Sequence, residues 1–209
     1  MVMPWKKFVK WFKGMFGKRK IIRLGLYGPP NSGKTTLANK ISVDWTGEPL
    51  GPASEVPHET REVQRKEHVV VESDGRKIEM NLLDMPGIAT KIDFEEFLEY
   101  GMSKSDAQKR AKEATKGVIE AIKWLENVDT ALVVMDSTED PYTQVNITII
   151  GNLEARDIPV IIVANKIDLE DAEPEKIREA FPQHPVVEIS GLKGDHVDDL
   201  YKAIAKHSR

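Results

Sequence analysis

Apolar positions fall along the chain in short runs separated by stretches of helical spacing, and this pattern predicts most of the elements. Residues 21–27 (Ile-Ile-Arg-Leu-Gly-Leu-Tyr) form a run of buried-strand length, and residues 36–41 after it carry helical spacing. Two further runs, 67–72 and 77–83, are strand-like and enclose Asp74-Gly75, a tight-turn pair, so they predict an antiparallel hairpin. From Phe94 onward the spacing is helical, and Ser103 with Asp106 caps a helix whose expected inner side is Ala107, Ala111, Ala114, Val118, Ile122 and Leu125. Strands follow at 131–135, 158–164 and 186–189. Between and after them come a helix opened by Asp140-Pro141 and running to about Leu153, a helix near residues 177–181, and a last helix with Val197, Leu200, Tyr201 and Ile204 on its core side. Residues 46–63, punctuated by Gly47, Pro49, Gly51, Pro52 and Pro57, read as loop. Strands alternating with helices imply an α/β fold: a mostly parallel sheet covered on both faces, with one antiparallel edge hairpin. Its ligand belongs beyond the carboxyl ends of the strands.

The first 19 residues follow a different pattern. Wound as a helix, Trp5, Phe8, Val9, Trp11, Phe12, Met15 and Phe16 share one face, and Lys6, Lys7, Lys10 and Lys13 share the other. An aromatic face with a wholly cationic back suits a helix lying in an anionic headgroup layer. A helix packed on the domain and an RNA-contacting arm are the alternatives. We therefore divide the chain into a basic amphipathic arm, residues 1–19, and an α/β domain, residues 20–209.

Composition sharpens this division. The 209 residues carry a net charge of −4, but residues 1–23 hold eight Lys/Arg and no acid, which leaves 22 basic against 34 acidic residues in the rest. That asymmetry suggests a partner of the arm's own, and the amphipathic pattern makes an anionic membrane surface, contacted by residues 4–20, the expected one. The absence of cysteine excludes disulfides and thiolate chemistry. No apolar run is long enough to span a bilayer, so a cytoplasmic protein, peripheral on the membrane, is expected.

The candidate chemistry begins at Gly28-Pro29-Pro30-Asn31-Ser32-Gly33-Lys34-Thr35, which matches G-x-x-x-x-G-K-[ST] between a strand and a helix. A glycine-rich turn lets backbone N–H groups converge on phosphates, and the following helix, opened by Thr35 and Thr36, presents its positive end. Lys34 adds a cation near the β- and γ-phosphates, and Thr35 a hydroxyl for Mg²⁺.

This loop, Thr60, Asp84-Met85-Pro86-Gly87, Asn165-Lys166-Ile167-Asp168 and Ser190-Gly191-Leu192 stand in the order and spacing of the five motifs of small GTPases. The wording of the first and third resembles the Era-type branch, over about residues 20–207. The resemblance implies a three-layer P-loop GTPase fold with a mostly parallel six-stranded sheet, GTP and GDP as ligands, and Mg²⁺ as cofactor. It implies that Gly28, Asn31, Ser32, Gly33, Lys34, Thr35, Thr36, Asp84 and Gly87 bind the phosphates. Thr35, Thr60 and Asp84 would hold the metal, and Lys34, Thr60 and Gly87 would act on the γ-phosphate. Asp168 would accept from the guanine N1–H and exocyclic amine, Asn165 would bind the base edge, the Lys166 stem would cover the ring, and Ser190, Gly191 and Leu192 would back the base. Gly191 departs from the alanine commoner there.

Ile88 stands where Ras-like relatives carry a catalytic glutamine and can neither hold nor polarise water, so slow hydrolysis is expected. Asn31 falls where some Era-type GTPases carry an asparagine that helps to hold K⁺; a loop-shaping asparagine is the alternative. Residues 46–63 and 88–117 are the expected effector surface, with an extra packed helix as the alternative for the second. The functional expectation is a GTP-binding switch that hydrolyses GTP slowly on the membrane. An Era-type ribosome-assembly or RNA-associated factor is its rival, disfavoured by the acidic body and by the lack of a further RNA-binding domain before Arg209, and a nucleotide-gated scaffold with negligible turnover is another.

Overall fold

The computed structural model describes residues 21–51, 62–73, 75–89 and 92–208; the basic arm and Thr60 lie outside them. Six strands form one sheet: β1 (Ile22–Tyr27), β2 (Gln64–Ser73), β3 (Arg76–Asp84), β4 (Thr130–Asp136), β5 (Val160–Asn165) and β6 (Val186–Glu188). Their order is β2-β3-β1-β4-β5-β6, with β2 antiparallel to β3 and the other neighbours parallel. The helices are α1 (Lys34–Thr46), α2 (Phe94–Glu99), α3 (Lys104–Trp124), α4 (Gln144–Glu154), α5 (Pro174–Ala180) and α6 (Val197–His207). This is the three-layer arrangement expected from the alternation of elements.

Period-two alternation sorts the strand residues between two cores. Leu24, Leu26, Leu132, Val134, Ile161 and Val163 face α1 and α6, which answer with Leu37, Ile41, Leu200 and Ile204. Tyr27, Ala131, Val133, Met135, Ile162 and Ala164 face α3, α4 and α5 on the other side. Because both faces are covered, the central strands read as continuous apolar runs rather than alternating ones. Gly25 is the exception for a steric reason: a Cβ there would lie 2.8 Å from both the Tyr27 ring and a Val128 methyl.

α6 is further tied to α1 by the Tyr201 hydroxyl, which donates to Asp44 Oδ2 at 2.6 Å, while the Tyr201 ring meets Trp45 edge-on at 5.3 Å.

Three details depart from the sequence pattern. α4 begins at Gln144 and not at Pro141, because Asp140 Oδ1 accepts the Tyr142 N–H at 2.9 Å and turns the chain, leaving Thr143 to cap the helix. In α3, Ala107, Ala114 and Leu125 are buried as expected but Ile122 is 42% exposed; the inner line passes through Gly117 and Ala121. On a helix turning about 100° per residue, Ile122 sits at the margin of the expected arc farthest from Gly117 and Ala121, so a packed side centred on those two small residues leaves it at the surface. Finally, α1 runs to Thr46, with Gly47 at φ 77° closing it, so the following loop starts later than residue 46.

Much of the chain between Asp84 and β4 is a helical hairpin of α2 and α3. Asp93 caps α2 by accepting the Glu95 N–H, Ser103 caps α3, and Phe97 is buried with Ala107 and Ala114 in a small core of its own, flanked by Phe94, Met102 and Ala111. Leu98 and Tyr100 remain exposed on its rim.

Candidate nucleotide-binding site

The loop from Gly28 to Thr35 links β1 to α1 in a conformation that two glycines make possible. A Cβ on Gly28 would stand 2.2 Å from the Val134 carbonyl oxygen, and one on Gly33, at φ 93°, would stand 2.2 Å from Asn165 Nδ2. Asn31, at φ 59°, is an exposed left-handed residue at the loop tip, a conformation asparagine tolerates better than most side chains. Lys34 is buried, and its Nζ donates to the Pro29 carbonyl at 2.6 Å. Burial pushes its ammonium down to about 8, with the Asp84 carboxylate opposing. A cation so poorly solvated gains from an arriving phosphate group.

Asp84 ends β3 next to this loop. It is fully buried, and its Oδ2 accepts the Thr35 hydroxyl at 2.7 Å. Register explains the meeting, since Asp84 lies opposite Leu26 on the neighbouring strand β1. A hydroxyl and a carboxylate at this separation are hard oxygen donors of the kind Mg²⁺ takes beside phosphates, so the two residues fit that ion. Past Asp84 the chain stays against the loop: Met85 N–H donates to Leu26 O at 3.3 Å and Ile88 N–H to Gly28 O at 3.1 Å. A Cβ on Gly87 would lie 3.0 Å from Pro30 Cα, so glycine permits this approach. The Ile88 side chain is 6% exposed and belongs to the core that contains Tyr27, Met85 and Leu125.

The other end of the site is built on β5 and the turn after β6. Asn165 is buried; its Nδ2 donates to Ser32 O at 2.8 Å and its Oδ1 accepts the Gly191 N–H at 2.9 Å. One amide therefore ties the phosphate loop, β5 and the turn at 190–192 together. The Ser190 N–H is likewise engaged, with Asp195 O at 3.1 Å. Both N–H groups hold the turn in place, and Leu192 is exposed. Asp168 is held below the ordinary carboxylate range by a hydrogen bond with the Ser190 hydroxyl, opposed by burial and helped by Lys193, whose Nζ is 3.5 Å away. Its carboxylate is thereby kept ionised and oriented. Lys166, at φ 67°, donates from Nζ to Asp136 Oδ2 at 2.5 Å.

Asp136 and Lys193 are the residues sequence reasoning passed over. Asp136 carries a legible signal, an acid ending the strand next to β5; Lys193 is one of many exposed lysines and carries none. Among the described residues no group of three or more His, Asp and Glu side chains forms a metal cluster. No described helix is long and apolar enough to cross a membrane.

The protein-family model described as 50S ribosome-binding GTPase matches residues 23–166. GTPase Der of Ruegeria sp. (strain TM1040) is 30% identical over 200 residues, covering 90% of this chain and 35% of that protein. The tRNA modification GTPase MnmE of Bacillus subtilis (strain 168) is 30% identical over 190 residues, covering 88% and 35%. Among solved structures, Era in complex with MgGDPNP and nucleotides 1506-1542 of 16S ribosomal RNA superposes with a TM-score of 0.68 at 27% identity, covering 91% of this chain and 57% of that one. The chain thus spans about a third of the length of these curated relatives. The family model spans most of this chain and its fold superposes on Era, so the chain belongs to the 50S ribosome-binding GTPase family and is an Era-like P-loop GTPase.

Proposed function

We propose that this protein is a GTP-operated switch of the translation and ribosome-assembly type, hydrolysing GTP slowly and contacting RNA through its basic arm. The observation that carries the nucleotide reading is the Asn165 amide, which joins the phosphate loop at Ser32 to the base-end turn at Gly191. It sets a fixed distance between a phosphate cradle and the Asp168 carboxylate, and a carboxylate facing paired donors selects guanine over adenine. Lys34 and the loop N–H groups hold the phosphates. Thr35 and Asp84, joined by Thr60, are the residues that would hold Mg²⁺, which would neutralise phosphate charge when bound. Gly87 brings a backbone N–H within reach of the γ-phosphate. Ile88, packed in the core, leaves the attacking water without a glutamine, and Asn31 is the residue in place to help hold K⁺ in compensation.

Two relatives support RNA as the partner: Era in complex with nucleotides 1506-1542 of 16S ribosomal RNA, and the tRNA modification GTPase MnmE. The acidic body disfavours a phosphate backbone, so the cluster of eight Lys/Arg in residues 1–23 is where an RNA contact belongs. A second reading, a peripheral membrane protein, is favoured by the aromatic face that accompanies those lysines at residues 5–16.

Two measurements test these readings. GTP and ATP affinity with single-turnover GTP hydrolysis, in Na⁺ and in K⁺, tests the switch; equal affinity for ATP overturns it. Co-sedimentation with ribosomes and flotation with anionic liposomes, for the full chain and for a form lacking residues 1–19, tests the partner. Arm-dependent ribosome binding supports the first reading, and arm-dependent flotation alone replaces it with the second.

A further inference from the structure

Asp136 belongs to none of the five motifs, yet it is the register partner of Asn165 at the carboxyl edge of the sheet. The next residue repeats the link, since the Ser137 N–H donates to Asn165 O at 2.9 Å. Both Asp136 oxygens are in use. Oδ1 accepts from the Thr138 N–H at 3.0 Å and from the Thr138 hydroxyl at 2.8 Å, which locks the carboxylate's orientation. Oδ2 accepts from Lys166 Nζ at 2.5 Å. The pair is partly sheltered, with 13% of the Asp136 side chain and 31% of the Lys166 side chain exposed.

Lysine is a poor wall for a ligand pocket when its tip is free. Its four-carbon stem samples many rotamers, and ordering it on binding opposes affinity. Anchoring the ammonium removes most of that cost beforehand. The left-handed backbone at Lys166, φ 67°, is rare for a side-chain-bearing residue, and it accompanies a side chain that reaches across to β4. The anchor also neutralises the Lys166 charge locally, so what remains for a ligand is the apolar stem.

We propose that Asp136 is a positioning residue for base recognition: locked by Thr138, it fixes the Lys166 ammonium so that the lysine stem stands as a preorganised wall of the guanine pocket. This rests on the reading of the Lys166 stem as the cover of the base. Because the base end is common to both nucleotides, loss of Asp136 weakens GDP and GTP by the same factor. A residue acting on the γ-phosphate would change their ratio instead.

The test is nucleotide binding by the full chain, with fluorescent GDP and a fluorescent non-hydrolysable GTP analogue. Asp136→Asn keeps an oxygen for Thr138 but removes the charge that holds Lys166. We expect about tenfold weaker binding of both nucleotides, the size of one charge-assisted hydrogen bond, with their ratio unchanged. Lys166→Met keeps an apolar stem and has no ammonium to anchor, so Asp136→Asn should add nothing in that background. Thr138→Val, which loosens the carboxylate without removing it, should lose a smaller factor in both nucleotides and serves if Asp136→Asn does not fold. An equal loss from Asp136→Asn in the Lys166→Met background would assign Asp136 to the turn alone and overturn the proposal. Wild-type affinity in Asp136→Asn, with Lys166→Ala weakened, would overturn the proposal but leave the base-cover reading standing. Wild-type affinity in Lys166→Ala would overturn both.

Discussion

The Ile88 N–H donates to the Gly28 carbonyl oxygen at 3.1 Å, so the chain after the Asp84 motif is hydrogen-bonded to the first residue of the phosphate loop. The same residue sends its side chain into the core beneath the sheet. Backbone and side chain of Ile88 thus serve different ends: one closes the motif on the loop, and the other packs it down. The position cannot be converted to a water-holding residue without opening that core.

Ile88→Gln should therefore not accelerate hydrolysis. A buried amide without partners costs about 1–3 kcal/mol, which in a protein of this size lowers Tm by several degrees. Thermal melting with single-turnover hydrolysis checks this, and a tenfold gain in rate at unchanged Tm would contradict it.

Asn165→Asp separates the two halves of the clasp. The carboxylate keeps an acceptor for the Gly191 N–H but replaces the donor to Ser32 O with a second acceptor. We expect a loss of about 1–3 kcal/mol in stability, from a buried carbonyl left facing an anion, and weaker binding of both GDP and GTP. Asn165→Ala, which leaves both partners unpaired but without repulsion, should be the milder variant at neutral pH. Denaturant unfolding ranks the two.

Asp168 gives a pH dependence with a definite sign. Its folded value is depressed, chiefly by the Ser190 hydroxyl, so the ionised carboxylate stabilises the fold above the unfolded value of about 3.9, and the contribution is lost as pH falls through the lower folded value. Ser190→Ala removes the largest cause and raises the folded value toward the ordinary one. GDP binding by the variant should fail at a higher pH on acidification than in the wild type. An acid limb that does not move would show that Ser190 leaves Asp168 untouched.

Tyr201→Phe addresses stability away from the site. The lost hydrogen bond to Asp44 is partly buried, and Asp44 keeps Lys40 Nζ at 2.6 Å as a second partner. A loss of about 1 kcal/mol is expected, with nucleotide affinity unchanged. Trp45, whose ring meets Tyr201, offers a local fluorescence reading of the change.

Much of this protein was legible before its structure. Strand order apart, the six strands and the faces of the last helix follow from local periodicity, because burial on a sheet or a helix repeats at intervals of two or about 3.6 residues. The phosphate loop was legible for the same local reason: its glycines, lysine and threonine are contiguous, and the strand before and helix after it are read from the same short window. Where the local reading failed, a competing interaction was responsible. Asp140 formed a turn with Tyr142 instead of capping the helix, and α3 packed on the side of Gly117 and Ala121, which left Ile122 at the margin.

The sequence by itself determined which residues are candidates for phosphate, metal and base chemistry, since residue type and spacing decide what a side chain can donate or accept. Only the tertiary structure decided how they are shared out. Thr35 meets Asp84, Asn165 spends its amide on Ser32 and Gly191, and Asp136 takes Lys166. Some of these partners lie far apart in sequence, 133 residues in the case of Asn165 and Ser32, and others are separated by a crossover helix. Parallel pairing of β3, β1, β4 and β5 is what lines their carboxyl ends along one edge. Pairing of that kind depends on sheet register and on helices packed over both faces, and neither is encoded in any short stretch of chain.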